Sequence, residues 1–345
     1  MSDFEDGAWM PSGQLGETML DELGALFGER LRPEEPLARH GTFGVGGPAE
    51  AWVGVTREAE LTRLAELART RGWPLMLVGN GTNVLYADAG ARGIVARMAL
   101  VEWRLEDAEG ERPRLIAGAG VSLPKLANDL ARRGIAGLEW SAGVPGTVGG
   151  AVVSNAGAHG ECVADTLEAV RVLATDVAPG EPVALRELRA AELALAYRHS
   201  RFRAARRVAF GDDGHPVAAA RAKIEPPEMI TGATFTLRRD DPAAVRARVA
   251  RNKQHRKDTQ PPQPSAGSVF INPPGDHAGR LIEAAGLKGT MHGNAEISAR
   301  HANFIVNRGG ASAADVVALV ALARRMVRQR FGVELELELE LRGDW

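Results

Sequence analysis

The sequence predicts mixed layering, α/β or α+β, in more than one domain. Three observations predict it. Apolar runs of strand length alternate with helical apolar periodicities between about residues 50 and 134. Two glycine-rich loops, GNGTN at 79–83 and GVPGTVGGAVVSNAGAHG at 143–160, interrupt that alternation, the first directly after the apolar run Leu75-Met76-Leu77-Val78. From about residue 241 the texture changes to a basic helical stretch, a proline cluster and a second set of helices, which reads as a separate α/β unit. A length of 345 residues and 45% hydrophobic content suffice for two or three buried cores.

Taken in order, residues 1–15 have little periodicity and read as a mobile tail. Leu20, Leu23, Leu26 and Phe27 fall at helical spacing ahead of Pro33 and Pro36, so tail and helix occupy 1–36. A strand at 50–55 leads to a helix from Thr56, with Leu61, Leu64 and Leu67 inward and Gly72 as its stop. Strands follow at 75–78, near 93–98 and near 114–118, and Ser122 is placed to cap a helix carrying Leu126 and Leu130 that ends at Gly134. The segment 203–228, with RAARR, GDDGHP, an alanine run and paired prolines, reads as an insertion or mobile loop. An arginine-rich helical stretch at 246–257 ends at Pro261, Pro262 and Pro264. Asp276 is placed to cap a short helix with Leu281 and Ile282 inward, and Ser312, answered by Asp315, to open a helix reaching Arg330. Val316, Leu319, Val320, Ala323 and Val327 give that helix its apolar stripe. The chain closes on alternating residues: Val333, Leu335, Leu337, Leu339 and Leu341 on one face of a strand, Glu334, Glu336, Glu338 and Glu340 on the other.

A net charge of −2 supplies no global field to attract nucleic acid or anionic membrane. No run approaches the roughly 18 apolar residues of a membrane span and no secretory leader is legible, so a cytoplasmic protein is expected. Cys162, the single cysteine, cannot form an internal disulfide and reads as a small buried residue beside Val163. The glycine clusters carry the chemistry. Gly146, Gly149, Gly150 and Gly157 allow close approach of backbone to a ligand, and Thr82 and Asn83 with neighbouring N–H groups suit a pyrophosphate, although each loop alone is also compatible with a tight turn. Neither loop spells G-x-G-x-x-G or G-x-x-x-x-G-K-[ST], which disfavours a Rossmann or phosphate-loop reading.

Seven motifs in order, HGTFGVGGPAEAWV (40–53), LVGNGTNVL (77–85), GLEWSAGVPGTVGGAVVSNAGAHG (137–160), YRHSRF (197–202), HRKDTQP with AGSVFINP (255–273), AGLKG (285–289) and HANFIVN (301–307), resemble the UDP-N-acetylenolpyruvoylglucosamine reductase family, in its compact subtype. The resemblance runs from about residue 37 to the C-terminus. It implies an α+β fold: a vanillyl-alcohol-oxidase-type FAD-binding region over 37–240, a smaller α/β substrate-binding domain over 241–332, and a terminal strand, 333–345, returning toward the flavin. It also implies FAD as cofactor, NADPH as co-substrate, a UDP-sugar enolpyruvyl ether as substrate and no metal. The protein is expected to act as a monomer on small molecules.

The resemblance assigns roles residue by residue. Flavin-mediated hydride transfer to an enolpyruvyl double bond leaves a carbanion beside a carboxylate, which needs charge stabilisation and a proton. Arg198 is implied to face the substrate carboxylate, Glu338 to stabilise the enolate-like state and Ser268 to donate the proton; alternation alone does not separate Glu338 from Glu336 or Glu340. Gly79, Gly81, Thr82, Asn83, Gly143, Val144, Pro145, Gly146, Gly149, Gly150, Asn155 and Gly157 are implied to bind the cofactor, and Tyr197, Arg256, Asn272 and Lys288 the substrate. Ile271, Asn294 and Glu296 depart from the family pattern, and Thr82 stands where serine is usual. Two other readings remain at this point: a related flavin oxidase, for which His159 or Cys162 could be a covalent tether, and a nucleotide-binding protein without catalysis.

Overall fold

A computed structural model describes residues 14–107, 111–178, 181–204, 210–211 and 223–345. Residues 1–13 of the tail expected over 1–15, and 205–209 and 212–222 of the expected loop, lie outside the described residues, while Gln14 and Leu15 open a helix instead. The chain runs α1 (Gln14–Phe27), β1 (Leu31–Pro36), β2 (Pro48–Val55), α2 (Glu58–Arg71), β3 (Leu75–Val78), β4 (Val84–Tyr86), β5 (Ala91–Met98), β6 (Trp103–Glu106) and β7 (Arg114–Gly118). There follow α3 (Leu123–Arg132), β8 (Ile135–Ala136), α4 (Val148–Ser154), β9 (Gly157–Ala158), β10 (Glu161–Cys162), β11 (Leu167–Ala174), β12 (Ala184–Arg189), α5 (Arg201–Ala204), β13 (Ile224–Glu225), β14 (Glu228–Thr236) and β15 (Arg238–Arg239). The last part comprises α6 (Pro242–Thr259), α7 (Ala278–Ala284), β16 (Met291–His292), β17 (Ala295–Ile297), β18 (Ile305–Asn307), α8 (Ala313–Phe331) and β19 (Glu340–Arg342).

Two five-stranded sheets carry the first region. One has the order β1-β2-β5-β3-β13, parallel except for β1; the other, β12-β11-β14-β7-β6, is antiparallel throughout. A single core between them takes in Leu23 of α1, Leu61 and Leu64 of α2, Ile94, Leu115, Leu126, Trp140, Val172 and Phe235. The helix expected from Thr56 begins at Glu58 instead, because the Glu60 carboxylate takes the amides of Thr56 (3.0 Å) and Arg57 (3.2 Å) and fixes them ahead of the first turn. Gly72, at φ +70°, ends it as expected. Ser122 stands at the start of α3, but its side chain makes no capping bond; Leu123 N–H is taken by the Gly146 carbonyl (3.2 Å), which ties the second glycine loop to this helix.

A second core joins α7, α8 and the sheet β16-β17-β18, with Phe43, Val45 and Leu85 reaching in from the first region and Leu335 and Leu339 from the chain end. The Ser312–Asp315 capping box forms as expected, and Asp88 accepts from the amides of Ala313 (2.7 Å) and Ala314 (3.0 Å), so a residue of the first region also caps α8. The structure corrects the expected boundary at 241. Val245 and Val249 of α6 pack with Ala127 and Ala131 of α3, which puts this helix on the first region, and the second core begins at Ala266.

Four local expectations change. The cap of α7 comes from Asn272, whose Oδ1 accepts from Ala278 N–H (3.0 Å), while Asp276 binds the His277 amide and Arg280. The continuous terminal strand reduces to β19, paired parallel with β4, because residues 336–339 bond singly to the Val269–Ile271 segment, with Glu338 N–H and Leu339 N–H sharing one carbonyl. Cys162 is half-buried rather than buried, since it lies on the small β9-β10 hairpin. The described ends of 203–228 are ordered structure: Arg203 is buried in α5 and Ile224-Glu225 adds a fifth strand beside β3.

Candidate functional site

The two glycine loops face each other across one cleft of about 1410 Å³, its open mouth included. One wall is 77–84, with Gly79, Gly81, Thr82 and Asn83; the facing wall carries Val144, Pro145, Gly146, Thr147, Gly149, Gly150 and Gly157. Local bonding explains the second wall. Val148 N–H reaches the Val121 carbonyl (2.9 Å), Gly149 N–H that of Ala119 (2.8 Å), and the Thr147 hydroxyl accepts from Gly150 N–H (3.3 Å), so the loop lies along 119–122 before α4 turns away. A Cβ on Gly79 would stand 2.9 Å from Thr147 Oγ1, and one on Gly146, whose φ is +138°, 3.2 Å from Thr82 Oγ1. Side chains there would narrow the gap between the loops. The glycines at 149 and 157 serve another purpose, since their Cβ positions point at Ala119 (2.9 Å) and at Glu161 O (2.5 Å), packing contacts rather than a ligand.

Three side chains converge on this cleft. Arg198 sits at φ +50° in a turn closed by reciprocal bonds between Ala196 and His199 (3.1 and 3.0 Å), a left-handed conformation that costs a non-glycine residue about 1–3 kcal/mol. Its Nη2 donates to Gly157 O (3.1 Å), and its Nε lies 2.6 Å from Glu338 Oε1. Glu338 is reached from three sides: Asn83 Nδ2 (2.8 Å) and Arg203 Nη2 (2.7 Å) donate to its carbonyl, and its amide donates to Val269 O (2.8 Å). Burial pushes its carboxyl above the ordinary range, while Arg198 and Arg203 pull it back. Ser268, one residue before Val269, also lines the cleft, so the amide of Glu338 fixes the spacing between acid and hydroxyl. Arg256 of α6 completes the basic side; it makes no ion pair among the described residues, and burial and the nearby Arg198 cation lower its pKa.

Five expected site residues do not line the cleft: Gly143, Asn155, Tyr197, Asn272 and Lys288. Asn155 is buried, donating to Ala196 O (2.9 Å) and accepting from Ala164 N–H (3.0 Å), so it holds the Arg198 turn and not a ligand. Gly143 packs near Arg256 Cδ (3.4 Å from a built Cβ), Asn272 caps α7, and Lys288 pairs with Glu283 (2.9 Å). Tyr197 is exposed, with the Arg198 guanidinium 5.3 Å from its ring centroid. Of the family departures, Ile271 lies outside the cleft lining, and Asn294 and Glu296 belong to the β16-β17 hairpin region, where Glu296 pairs with Arg308 (3.3 Å). His159 and Cys162, the possible tethers, do not line the cleft either.

The sequence reading missed Arg203 and Arg342 as site residues, and held Glu340 only as an alternative to Glu338. Glu340 and Arg342 line the cleft, and buried Arg342 pairs with Glu340 (2.8 Å) and Glu225 (3.1 Å). The period of two that marks Glu338 and Glu340 would also have found Arg342, since 338, 340 and 342 share a face. Among the described residues no group of acidic, histidine or cysteine side chains could hold a metal, and no helix is long and apolar enough to cross a membrane.

The donor set fits FAD. Glycine backbone with the hydroxyls of Thr82 and Thr147 suits a pyrophosphate, and Leu77, Val78, Met98, Leu123, Ile230 and Phe304 offer apolar surface to flat rings.

Comparison with known proteins agrees with this geometry. Residues 49–177 match the family model of an FAD binding domain, and residues 259–342 that of the UDP-N-acetylenolpyruvoylglucosamine reductase C-terminal domain. A UDP-N-acetylenolpyruvoylglucosamine reductase of Chloroflexus aggregans is 43% identical over 312 residues, covering 90% of this chain and 97% of that protein. One of Moorella thermoacetica is 40% identical over 331 residues, 94% of this chain and 99% of its own. The crystal structure of the Thermus caldophilus enzyme (MurB) is similar at a TM-score of 0.68 and 36% identity, covering 89% of this chain and 97% of that one. The first region therefore has the vanillyl-alcohol-oxidase-type FAD-binding fold, followed by a second domain, and the chain belongs to the UDP-N-acetylenolpyruvoylglucosamine reductase family.

Proposed function

We propose that the chain reduces UDP-N-acetylglucosamine enolpyruvate to UDP-N-acetylmuramate, a step of peptidoglycan precursor synthesis, with FAD in the glycine-lined cleft and NADPH as electron donor. The observation that carries this reading is the meeting of Arg198, Glu338 and Ser268 in the same cleft as the two glycine loops. Bound there, the flavin supplies the hydride chemistry that links NADPH to the enolpyruvyl double bond. The chain's own groups do the rest. Gly79, Gly81, Thr82 and Gly146 hold the pyrophosphate through backbone and hydroxyl, and Arg256 faces the diphosphate of the substrate. Arg198 grips the substrate carboxylate with a planar guanidinium, and the ring of Tyr197 supports it. As that carboxylate arrives, the cation opposite Glu338 is shared, which favours a protonated carboxyl, and a neutral acid can donate a hydrogen bond to the enolate-like oxygen as charge develops. Ser268 then delivers the proton to carbon.

Anaerobic half-reactions test the reading. Ser268→Ala should accept electrons from NADPH at nearly the parent rate, because flavin reduction needs no proton from this hydroxyl. Reoxidation by the enolpyruvyl substrate should slow about 10²–10⁴-fold, the usual worth of a positioned acid. Reoxidation at the parent rate would return Ser268 to a turn residue and remove the proposed proton path.

A further inference from the structure

Arg203 stands at this site without a part in the chemistry so far. It lies five residues after Arg198 in α5, only 6% exposed, and its Nη2 donates to two successive peptide carbonyls, Leu337 (3.1 Å) and Glu338 (2.7 Å). A buried guanidinium is costly to desolvate, and two neutral carbonyls repay only part of that cost. A second interaction lies within reach, because its cation acts on the Glu338 carboxyl together with that of Arg198. The other charged groups of the cleft have partners or neighbours of their own, Arg342 pairing with Glu340 (2.8 Å) and Arg256 standing near Arg198. The groups bonded to the Glu338 backbone besides Arg203, the Asn83 amide and the Val269 carbonyl, are neutral, as is Ser268 next to Val269.

We propose that Arg203 is a positioning residue that acts through Glu338, fixing where its carboxyl group stands in the cleft by gripping the two peptide carbonyls at its base. The inference rests on the reading of Glu338 as part of the reaction machinery. Asn83 and Val269 hold the same peptide from other directions, so loss of Arg203 frees its rotation about those two contacts without releasing the segment. The guanidinium fixes the direction of both bonds by its planarity, whereas a lysine keeps the charge with a flexible ammonium. Charge and grip can therefore be separated by substitution.

The test uses the flavin-loaded protein, reduced anaerobically with NADPH and mixed with UDP-N-acetylglucosamine enolpyruvate over a range of pH. Arg203→Met should slow reoxidation about 10–100-fold, as loss of a group that orients an active-site residue does, while reduction by NADPH and flavin content stay at parent levels. The pH profile carries the sharper signature. With one cation gone, the Glu338 carboxyl keeps its proton to higher pH, so activity that needs the neutral acid is present below that pKa and lost only as pH rises through it. The alkaline limb should move upward in Arg203→Met and stay in place in Arg203→Lys, which should also recover part of the rate. In a Glu338→Gln background, Arg203→Met should add less than about threefold, since residues acting through one group are not additive. The full loss repeated in that background, or an unmoved limb in Arg203→Met, overturns the proposal. If Arg203→Met loses its flavin, Arg203→Lys decides: a lowered rate with the limb in place supports the proposal, and a displaced limb at parent rate overturns it. A Glu338→Gln protein that reoxidises like the parent is a different failure, which removes the catalytic reading of Glu338 itself.

Discussion

Gly149→Val tests how the second glycine loop holds its shape. A Cβ at this position would stand 2.9 Å from Ala119 Cβ and 3.2 Å from Ala119 O, closer than the about 3.5–4.0 Å of ordinary carbon contacts. Ala119 is itself buried and bonded through its carbonyl to Gly149 N–H at 2.8 Å, so neither partner can move without breaking the tie that starts α4. Overpacking of this kind costs about 1–3 kcal/mol, and the two further methyls of valine place it toward the upper end. At about 1–2 °C per kcal/mol for a chain of this size, the melting temperature should fall by roughly 3–5 °C. Because the first turn of α4 is also a wall of the cleft, relief of the clash moves that wall and lowers flavin content. The clash is with the strand side, so loss of colour should accompany loss of stability. Thermal melting of the flavin-free protein and visible absorbance per mole of purified protein measure both. Full flavin content with an unchanged melting temperature would refute the packing argument, and a colourless variant whose flavin-free form melts like the parent would show that Gly149 meets the ligand directly.

Glu338→Gln should lower the rate of substrate reduction about 10²–10³-fold, the effect of removing one positioned donor, while flavin content holds, because Asn83 and Arg203 hold this residue through its backbone carbonyl, which the substitution keeps. Glu334→Gln should change turnover little, since this exposed carboxylate pairs with Arg328 at the surface; steady-state rates for the two variants check the register of the terminal segment, and equal losses would refute it. Glu60 is held below the ordinary carboxylate range mainly by its hydrogen bonds with Arg30 (2.8 Å each), with help from Thr56 and Arg57. Its stabilising contribution is present above the unfolded carboxyl pKa of about 4.3 and lost as pH falls through the lower folded value. Melting temperatures of the parent and Glu60→Gln should therefore differ at pH 7, and the difference should begin to shrink only as pH falls below about 4 and go on shrinking toward the lower folded value; a constant difference would refute the ion-pair account.

Local signals were legible wherever the backbone itself demands a residue type. Gly72 ends α2 in a left-handed turn, Ser312 and Asp315 cap each other, and the run Leu75-Met76-Leu77-Val78 is a strand that delivers the first glycine loop to the cleft. Side-chain amides and hydroxyls were harder to read, because the same group serves a ligand, a helix end or a turn. Asn155 and Asn272 sit in motifs that suggest ligand contact, yet one holds the Arg198 turn and the other caps α7. Arg203 lay hidden at the edge of a segment whose composition suggested a surface loop, and nothing in its neighbours marked it as buried.

The sequence by itself determined that two glycine loops exist, that an acidic row alternates with leucine at the chain end, and that Arg198, Ser268 and Glu338 stand in recognisable motifs, since these follow from residue identity and spacing. Tertiary structure decided which carboxylate of that row meets Arg198. Glu334 reaches solvent and Arg328, Glu340 is engaged by Arg342, and Glu338 meets Arg198 in the cleft, because isolated hydrogen bonds donated by Asn83 and Arg203 and accepted by the Val269 carbonyl set the path of a segment that no continuous ladder fixes. Alternation is a local property of the chain, whereas the partner each side chain finds depends on contacts made by residues up to 255 positions away.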